Sequence, residues 1–348
     1  MRSKELCKAL DISYKSLRIY EDEGLIKPKR DVNNYRNYDE GDLLKIREIM
    51  LYRTLGFSIK DIKEIMKDYD EEGYSFIERL YNQKTAVDYK INTLLRIKES
   101  LKNTINDALV LKECDKKHYK DILNYNYENV KNNQGWRDKW GFDSWAKSYD
   151  VSVRDLRDEL NLFEQYDKLI DTIAEKIDSL SKGSKVLDIG CGTGNLLGKL
   201  KGDKELIGID QSLEMLIIAK NKYPKLTLKL GNFLDENYYD KPVDIIVSTY
   251  AFHHLQGKEK IEALDKMVKA LSPHGKIIIG DLMFENEEQR QKKKDYYKSI
   301  GREDLWDIIE DEYYSDVEIL KSYAKERKLK IYYNHVINFT WLIEFDKI

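Results

Sequence analysis

Two residue types that punctuate or staple a fold are nearly missing from this chain of 348 residues: there are four prolines and three cysteines. No proline falls between Pro28 and Pro224. Because proline removes an N–H donor and clashes with the preceding turn, that gap predicts long helices through the first half. Cys7, Cys114 and Cys191 have neither disulfide nor metal spacing, which suits a reducing compartment. The five histidines form no H-x-x-x-H or H-E-x-x-H pair, so no metal is expected. No apolar run reaches the roughly 18 residues that suggest a membrane-crossing helix, and the opening M-R-S-K-E-L lacks the apolar core of a signal peptide. The expectation is a cytoplasmic protein with no membrane partner. Charge of one sign is also lacking: charged residues make up 35% of the chain, yet its net charge is −3. That balance excludes a global field drawing the protein to nucleic acid, so any DNA binding must come from a local patch.

The most informative stretch is K-V-L-D-I-G-C-G-T-G-N at 185–195. A short apolar run meets Gly190, Gly192 and Gly194, and an amphipathic helix is expected from Leu196. Glycines let the backbone pass close to a ligand at positive φ, and a helix start offers unpaired N–H groups. A second apolar run at 206–209 ends at Asp210, where a carboxylate can reach the two ribose hydroxyls of an adenosine-containing ligand, a contact worth roughly 1.5–3 kcal/mol. Further strands are expected at 226–230, 243–247 and 276–279, with helical stretches between them. Such alternation predicts a parallel sheet flanked by helices, with ligands at the carboxyl ends of the strands. A terminal hairpin is expected at 330–335 and 336–345.

V-L-D-I-G-C-G-T-G followed by G-I-D-Q-S resembles motifs I and II of the class I S-adenosylmethionine-dependent methyltransferases, with dinucleotide enzymes the nearest competitor. F-D-S-W-A-K-S-Y-D at 142–150, S-T-Y-A-F-H-H-L at 248–255, F-E-N at 284–286 and Trp341 are similar to the YrrT-like bacterial methyltransferases. The resemblance implies S-adenosylmethionine as cofactor. Gly190, Gly192 and Gly194 would border its methionine part, with Asp188 and Asn195 in the same motif. Asp210, Gln211 and Met215 would serve the ribose side, Asn232 and Phe233 the adenine, Ser248 the end of the fourth strand, and Trp145 and Tyr149 a covering helix. His253 or His254 is the candidate base for a protonated acceptor, with Asp281 as a weaker one, and Cys191 is not expected to be a nucleophile. The chain has no N-P-P-Y, D-P-P-Y or Pro-Cys motif, which argues against a nucleic-acid base as acceptor. Acceptor specificity is expected in 282–330.

Residues 3–10 and 14–23 read as two short helices around a D-I-S turn, a helix-turn-helix. Lysines and arginines outnumber acidic residues 13 to 10 across residues 1–60, a modest local excess. S-Y-K-S-L-R-I-Y-E-D-E-G-L-I-K-P, N-Y-R-N-Y-D-E-G-D-L and L-G-F-S-I-K-D-I-K-E-I-M, in that order, resemble the MerR transcriptional regulators over residues 1–70. That resemblance puts Lys15, Ser16, Arg18 and Tyr20 on a recognition helix, Lys27 just after it, and Tyr35, Arg36 and Tyr38 on a wing, all as DNA contacts. Ile19 and Asn34 depart from the usual aromatic and glycine. Leu80, Val87, Leu94, Leu101 and Ala108, with Ile77, Ile91 and Ile105, fall on a heptad interrupted by Lys84 and Lys98. This pattern argues for a coiled-coil helix, and the resemblance implies a homodimer on a pseudo-palindromic promoter site in double-stranded DNA. Cys114 alone makes a poor metal sensor.

The expected organisation is multidomain: an all-α winged helix-turn-helix at 1–72, a coiled-coil dimerisation helix at 73–112, a linker at 113–135, and an α/β Rossmann-like class I methyltransferase at 136–348. Two readings stay open. One is a DNA-binding regulator whose methyltransferase domain methylates or senses a small-molecule substrate or effector. The other is a small-molecule methyltransferase whose N-terminal half serves dimerisation or autoregulation.

Overall fold

The computed structural model describes residues 1–67, 76–111, 120, 123–124, 142–155, 159–180, 183–235, 238 and 241–347. They belong to two compact units, Met1–Arg137 and Asp138–Ile348. Apart from residues 120, 123 and 124, the expected linker lies outside the described residues, as do Cys114, Trp136 and Trp140.

In the first unit α1 (Ser3–Leu10) and α2 (Tyr14–Asp22) flank a turn through Asp11 at φ +51°. Ser13 starts α2 by accepting the Ser16 N–H at 3.0 Å; Asp39 and Ser58 likewise start α3 (Glu40–Thr54) and α4 (Ile59–Ile65). Each such cap is worth about 1 kcal/mol. The strands β1 (Lys29–Arg30) and β2 (Arg36–Asn37) pair antiparallel through a turn in which Asn34 has φ +63°. Asparagine visits that left-handed region more readily than most residues, so the hairpin forms without the usual glycine.

The core of this unit gathers Leu6, Leu17, Ile26, Ile46, Ile49, Tyr52 and Ile62. Tyr20 and Tyr38 belong to it as well, 7% and 2% exposed. This corrects their expected role as DNA contacts. Tyr20 follows Leu17 by three residues and so shares its buried face, while Tyr38 is tied in by its N–H to the carbonyl of Met1.

The gap in proline is filled by α5 (Phe76–Leu111), one helix of 36 residues. Ala86 and Thr93 are buried on it, whereas Ile77, Leu80, Ile91, Leu94 and Leu101 are exposed.

The second unit is built on a mixed sheet. Its strands are β3 (Lys185–Ile189), β4 (Glu205–Asp210), β5 (Thr227–Leu230), β6 (Val243–Thr249), β7 (Leu271–Phe284), β8 (Ser315–Asp316), β9 (Lys330–Ile337) and β10 (Thr340–Asp346). They lie in the order β5-β4-β3-β6-β7-β10-β9, with β8 beside β7. From β5 to β7 the pairings are parallel. The terminal hairpin then inserts β10 antiparallel to both β7 and β9. Alternate residues of β3 point to opposite faces: Val186 packs in one core, Leu187 and Ile189 in the other. The first core includes α7 (Tyr166–Asp178) through Leu169, Ile170 and Ile173; the second includes α9 (Gly257–Ala270) and α12 (Val317–Arg327).

Two expectations need correction here. The helix predicted from Leu196 is a single 3-10 turn, Leu197–Lys199. Gly198 fits directly against Tyr223, whose ring would lie 2.1 Å from an added Cβ, and the chain turns again at Gly202 (φ +81°) before β4. The fifth strand also runs beyond 276–279, as far as Phe284, and so carries Asp281 inside it. Among the described residues no helix is long and apolar enough to cross a membrane.

Candidate active site

The carboxyl ends of β3, β4 and β6 open onto a cavity of about 370 Å³, a normal size for a small-molecule site. At the end of β3, Gly190 has φ +78°, and a Cβ there would come within 2.4 Å of the Ala251 methyl. Any side chain would push the loop out of place. The Gly192 N–H donates to Asp210 Oδ2 at 2.8 Å and the Ser212 N–H to Asp210 Oδ1 at 2.9 Å. The Asp210 carboxylate therefore ties the glycine turn to the end of β4. It lines the cavity, where a carboxylate can accept from ribose hydroxyls.

Next to it, Asp188 is fully buried and neither of its oxygens has a hydrogen-bond partner among the described residues. Burial, and secondly the charge of Asp210, push its pKa up to about 8. Asp188 is therefore largely protonated at neutral pH, and the Asp210 carboxylate supplies the negative charge that favours a cation. That fits S-adenosylmethionine, which brings a sulfonium and an ammonium, better than a polyanionic dinucleotide. Burial also pushes the Cys191 thiol well up, so it is no nucleophile at neutral pH.

One wall comes from α6 (Phe142–Ser152), which supplies Phe142, Trp145 and Tyr149. This helix is strapped down at both ends. Ser212 Oγ donates to Asp143 at 2.6 Å, and Asp150 accepts from Thr193 (2.6 Å), Asn195 (2.8 Å) and Lys222 (2.6 Å). Burial works against the Asp150 charge, but its bonds from Lys222, Thr193 and Asn195 outweigh it and hold the carboxyl below the ordinary range. Burial likewise keeps the Tyr149 hydroxyl protonated, its pKa well above the usual value.

A second set of lining residues is polar. His253 and His254 sit in the 3-10 turn Phe252–His254 after β6, and Glu312 follows α11 (Glu303–Asp311). His253 Nδ1 lies 2.5 Å from Asp281 Oδ1, and its backbone N–H donates to Asp281 Oδ2 at 3.0 Å. Burial opposes the Asp281 charge, yet the His253 contact and the Leu282 N–H hold its pKa down. His253 Nε2 and His254 Nδ1 stand 3.5 Å and 3.0 Å from Glu312 Oε2. Burial and the neighbouring His253 lower the His254 pKa, which favours neutral imidazole. Lys260 Nζ donates to the carbonyls of His253, Leu255 and Tyr313, bracing both sides of the cluster. Burial brings that ammonium down to about 8. Tyr250, also on the cavity, has φ +49°, a strain of the kind that collects at functional sites.

Of the expected cofactor residues, Trp145, Tyr149, Gly190, Gly192, Asp210, Gln211, Met215, Asn232 and Phe233 line the cavity, together with His253 and His254. Four expected contacts do not. Gly194 faces Tyr223, Ala219 and Leu226. Asn195 is committed to Asp150, Tyr166 and Lys222. Ser248 is buried within β6, and Asp188 lies behind the turn. Asp281 is buried beneath His253 and neither lines the cavity nor caps a helix. Sequence reasoning missed Glu312, Phe163 and Tyr250 as lining residues and Asp150 as a strap. Asp150 did stand at the end of a recognised motif; Glu312, in I-E-D-E-Y-Y, gave no local signal.

In the first unit Lys15, Arg18, Lys27 and Tyr35 are exposed, and Ser16 is half-buried in the first turn of α2. Arg36 is half-buried and paired with Glu21 at 2.5 Å.

The chain is similar to known proteins over both of its units. A methyltransferase-domain family model matches residues 186–275, and a model of MerR helix-turn-helix regulatory proteins matches residues 1–69. An uncharacterised methyltransferase of Oceanobacillus iheyensis is 35% identical over 210 residues, 60% of this chain and 96% of that protein. The uncharacterised methyltransferase YrrT of Halobacillus halophilus is 35% identical over 208 residues, 59% and 95% of the two chains. Magnesium protoporphyrin IX methyltransferase of Synechocystis aligns at TM-score 0.46 and 13% identity, covering 61% of this chain and 100% of that one.

A parallel-sheet core with its cavity at the glycine turn defines a class I methyltransferase fold. Over its C-terminal three-fifths the chain belongs to the YrrT-like methyltransferase family, and its first 69 residues match the MerR helix-turn-helix family. It is a methyltransferase with S-adenosylmethionine as methyl donor.

Proposed function

We propose that the chain is a MerR-type DNA-binding regulator, acting as a homodimer, whose methyltransferase domain methylates or senses a small molecule. The observation that carries this reading is the union in one chain of a MerR match with a cavity lined by both cofactor-type and acceptor-type residues. The sulfonium supplies an already activated methyl group. What the protein must add is alignment: Gly190, Gly192, Asp210 and Asn232 hold the cofactor, the aromatic wall of α6 excludes water, and His253, His254 and Glu312 receive the acceptor. For DNA, the exposed Lys15, Arg18 and Lys27 and the hairpin residue Tyr35 supply the contacts, and the exposed apolar row Ile77, Leu80, Ile91, Leu94 and Leu101 pairs two copies along α5.

The second reading, an enzyme whose N-terminal half only dimerises it, is favoured by the polar cluster on the cavity, which a pure sensor does not need. One experiment separates them: affinity of the full-length protein for the DNA upstream of its own gene, at fixed salt, without ligand, with S-adenosylmethionine and with S-adenosylhomocysteine. A tenfold shift, about 1.4 kcal/mol, supports cofactor sensing. By linkage the same DNA must then change cofactor affinity by the same factor. Sequence-independent DNA binding would sink the regulator at that site and leave the enzyme.

A further inference from the structure

We propose that His253, His254 and Glu312 form a binding site for a divalent first-row transition-metal ion, and that this ion holds the methyl acceptor through an oxygen or sulfur donor. The second half rests on the methyltransferase reading; the first half does not.

Three ligands, two imidazoles and one carboxylate, converge at the cavity wall, one atom from each lying within 4.8 Å of the others. With metal–ligand bonds of about 2.1 Å, two ligands at tetrahedral or right angles stand roughly 3.0–3.4 Å apart. The distances to Glu312 Oε2, 3.0 Å from His254 Nδ1 and 3.5 Å from His253 Nε2, match that spacing closely.

The orientation of His253 is also that of a ligand. Its Nδ1 is engaged by Asp281 Oδ1, which directs the ring proton there and turns the Nε2 lone pair toward the Glu312 carboxylate. Two lone pairs facing each other need a proton or a metal cation between them, and the three convergent ligands favour the metal. A carboxylate behind a ligating imidazole is the usual support for a metal-bound histidine. Lys260 braces the site without occupying it, because its Nζ is taken up by the His253, Leu255 and Tyr313 carbonyls.

Two imidazoles and one carboxylate suit zinc, iron, cobalt or nickel better than magnesium or calcium. Three protein ligands leave at least one coordination position, and all three residues line the cavity. An alcohol or thiol acceptor bound there is acidified by the ion and gives its proton to water; its oxygen or sulfur then bonds to the methyl carbon of the sulfonium as that C–S bond breaks and S-adenosylhomocysteine leaves.

The test uses full-length protein stripped with EDTA and titrated with Co²⁺, followed by visible absorption and calorimetry. One ion per chain is expected. Glu312→Gln and His254→Ala should each weaken binding at least 100-fold, and Asp281→Asn, acting through His253, about 10- to 100-fold. Tryptophan fluorescence melting shows whether each variant is folded. Adding 2-mercaptoethanol to the Co²⁺ form should change its visible spectrum by filling the open position. Absence of stoichiometric Co²⁺ binding, or equal binding by folded Glu312→Gln and His254→Ala, overturns the metal site and leaves a proton shared between histidine and Glu312. An unchanged spectrum with the thiol overturns the acceptor role alone. S-adenosylhomocysteine binding by the metal-free protein is measured in parallel. Its failure would count against the cofactor reading and leave the metal result standing.

Discussion

The two sets of residues on the cavity are built in opposite ways. The cofactor set is largely backbone and local: a glycine turn, the residue that ends the next strand, and the side chains just after it, all within residues 188–233. The histidine set is assembled from side chains on β7, the turn after β6 and the loop after α11, with Asp281 and Glu312 lying 28 and 59 residues beyond His253. Steric demands, written into short motifs, shape the first set. Long-range hydrogen bonding shapes the second, and beyond S-T-Y-A-F-H-H-L at the two histidines it leaves no motif.

Several measurements would break or sharpen that contrast. The largest effect is expected at Asp188, whose folded pKa of about 8 exceeds its ordinary value of 3.8. The folded state then holds a proton that the unfolded state releases, so this group's contribution to stability is full below about pH 4 and is lost as pH rises toward 8, by roughly 1.4 kcal/mol per pH unit. Asp188→Asn should flatten that slope and gain several kcal/mol at pH 8. All five tryptophans lie at or beyond residue 136, so urea unfolding followed by tryptophan fluorescence reads the C-terminal part selectively. A wild-type profile already flat between pH 4 and 8 would refute the buried, unpartnered carboxyl.

Gly190→Ala should come next. The contact with Ala251 and the positive φ leave no room for a methyl group, and S-adenosylhomocysteine affinity should fall at least 100-fold by calorimetry, about 2.7 kcal/mol. Near-normal binding would mean that the turn yields and that the cofactor set is less rigid than its geometry implies.

Asp210→Asn removes the charge that faces ribose and sulfonium. It should cost roughly 1.5–3 kcal/mol of cofactor affinity and also bring the Asp188 pKa down, because a like charge is gone. A pH profile of stability measured in this variant tests the coupling separately from binding.

The smallest effect is expected from Asp150→Ala, which frees one end of α6 from Thr193, Asn195 and Lys222. A tenfold faster release of S-adenosylhomocysteine with little change in its association rate is the expected result. An unchanged release rate would show that Asp143 and Ser212 alone hold the helix.

The same contrast explains how much was legible before the structure. The expected strands appeared within a few residues because each is a short apolar run bounded by glycine or charge, and the glycine turn and Asp210 fell where their motifs put them. Leu196 misled because an apolar start looks helical locally, whereas the chain becomes extended at Leu200 (φ −67°, ψ 135°) after one turn. Tyr20 and Tyr38 misled because a tyrosine beside basic residues reads as a surface contact. Only packing reveals that Leu17 and Tyr20 share the buried face. The expectation of no metal rests on spacing along the chain, and such spacing is silent about ligands from separate elements, as in the proposed site.

By itself, the sequence determined what depends on neighbours along the chain: the order of strands and helices, the caps at Ser13, Asp39 and Ser58, and the turn that glycine alone can make. Tertiary structure decided which polar groups would be buried together. It put Asp281 under His253, brought Glu312 to both histidines and Asp150 to the glycine loop, and left Asp188 without a hydrogen-bond partner among the described residues. The cost of burying a polar or charged group is set by what surrounds it in space, and residues tens of positions apart become neighbours only once the sheet has formed.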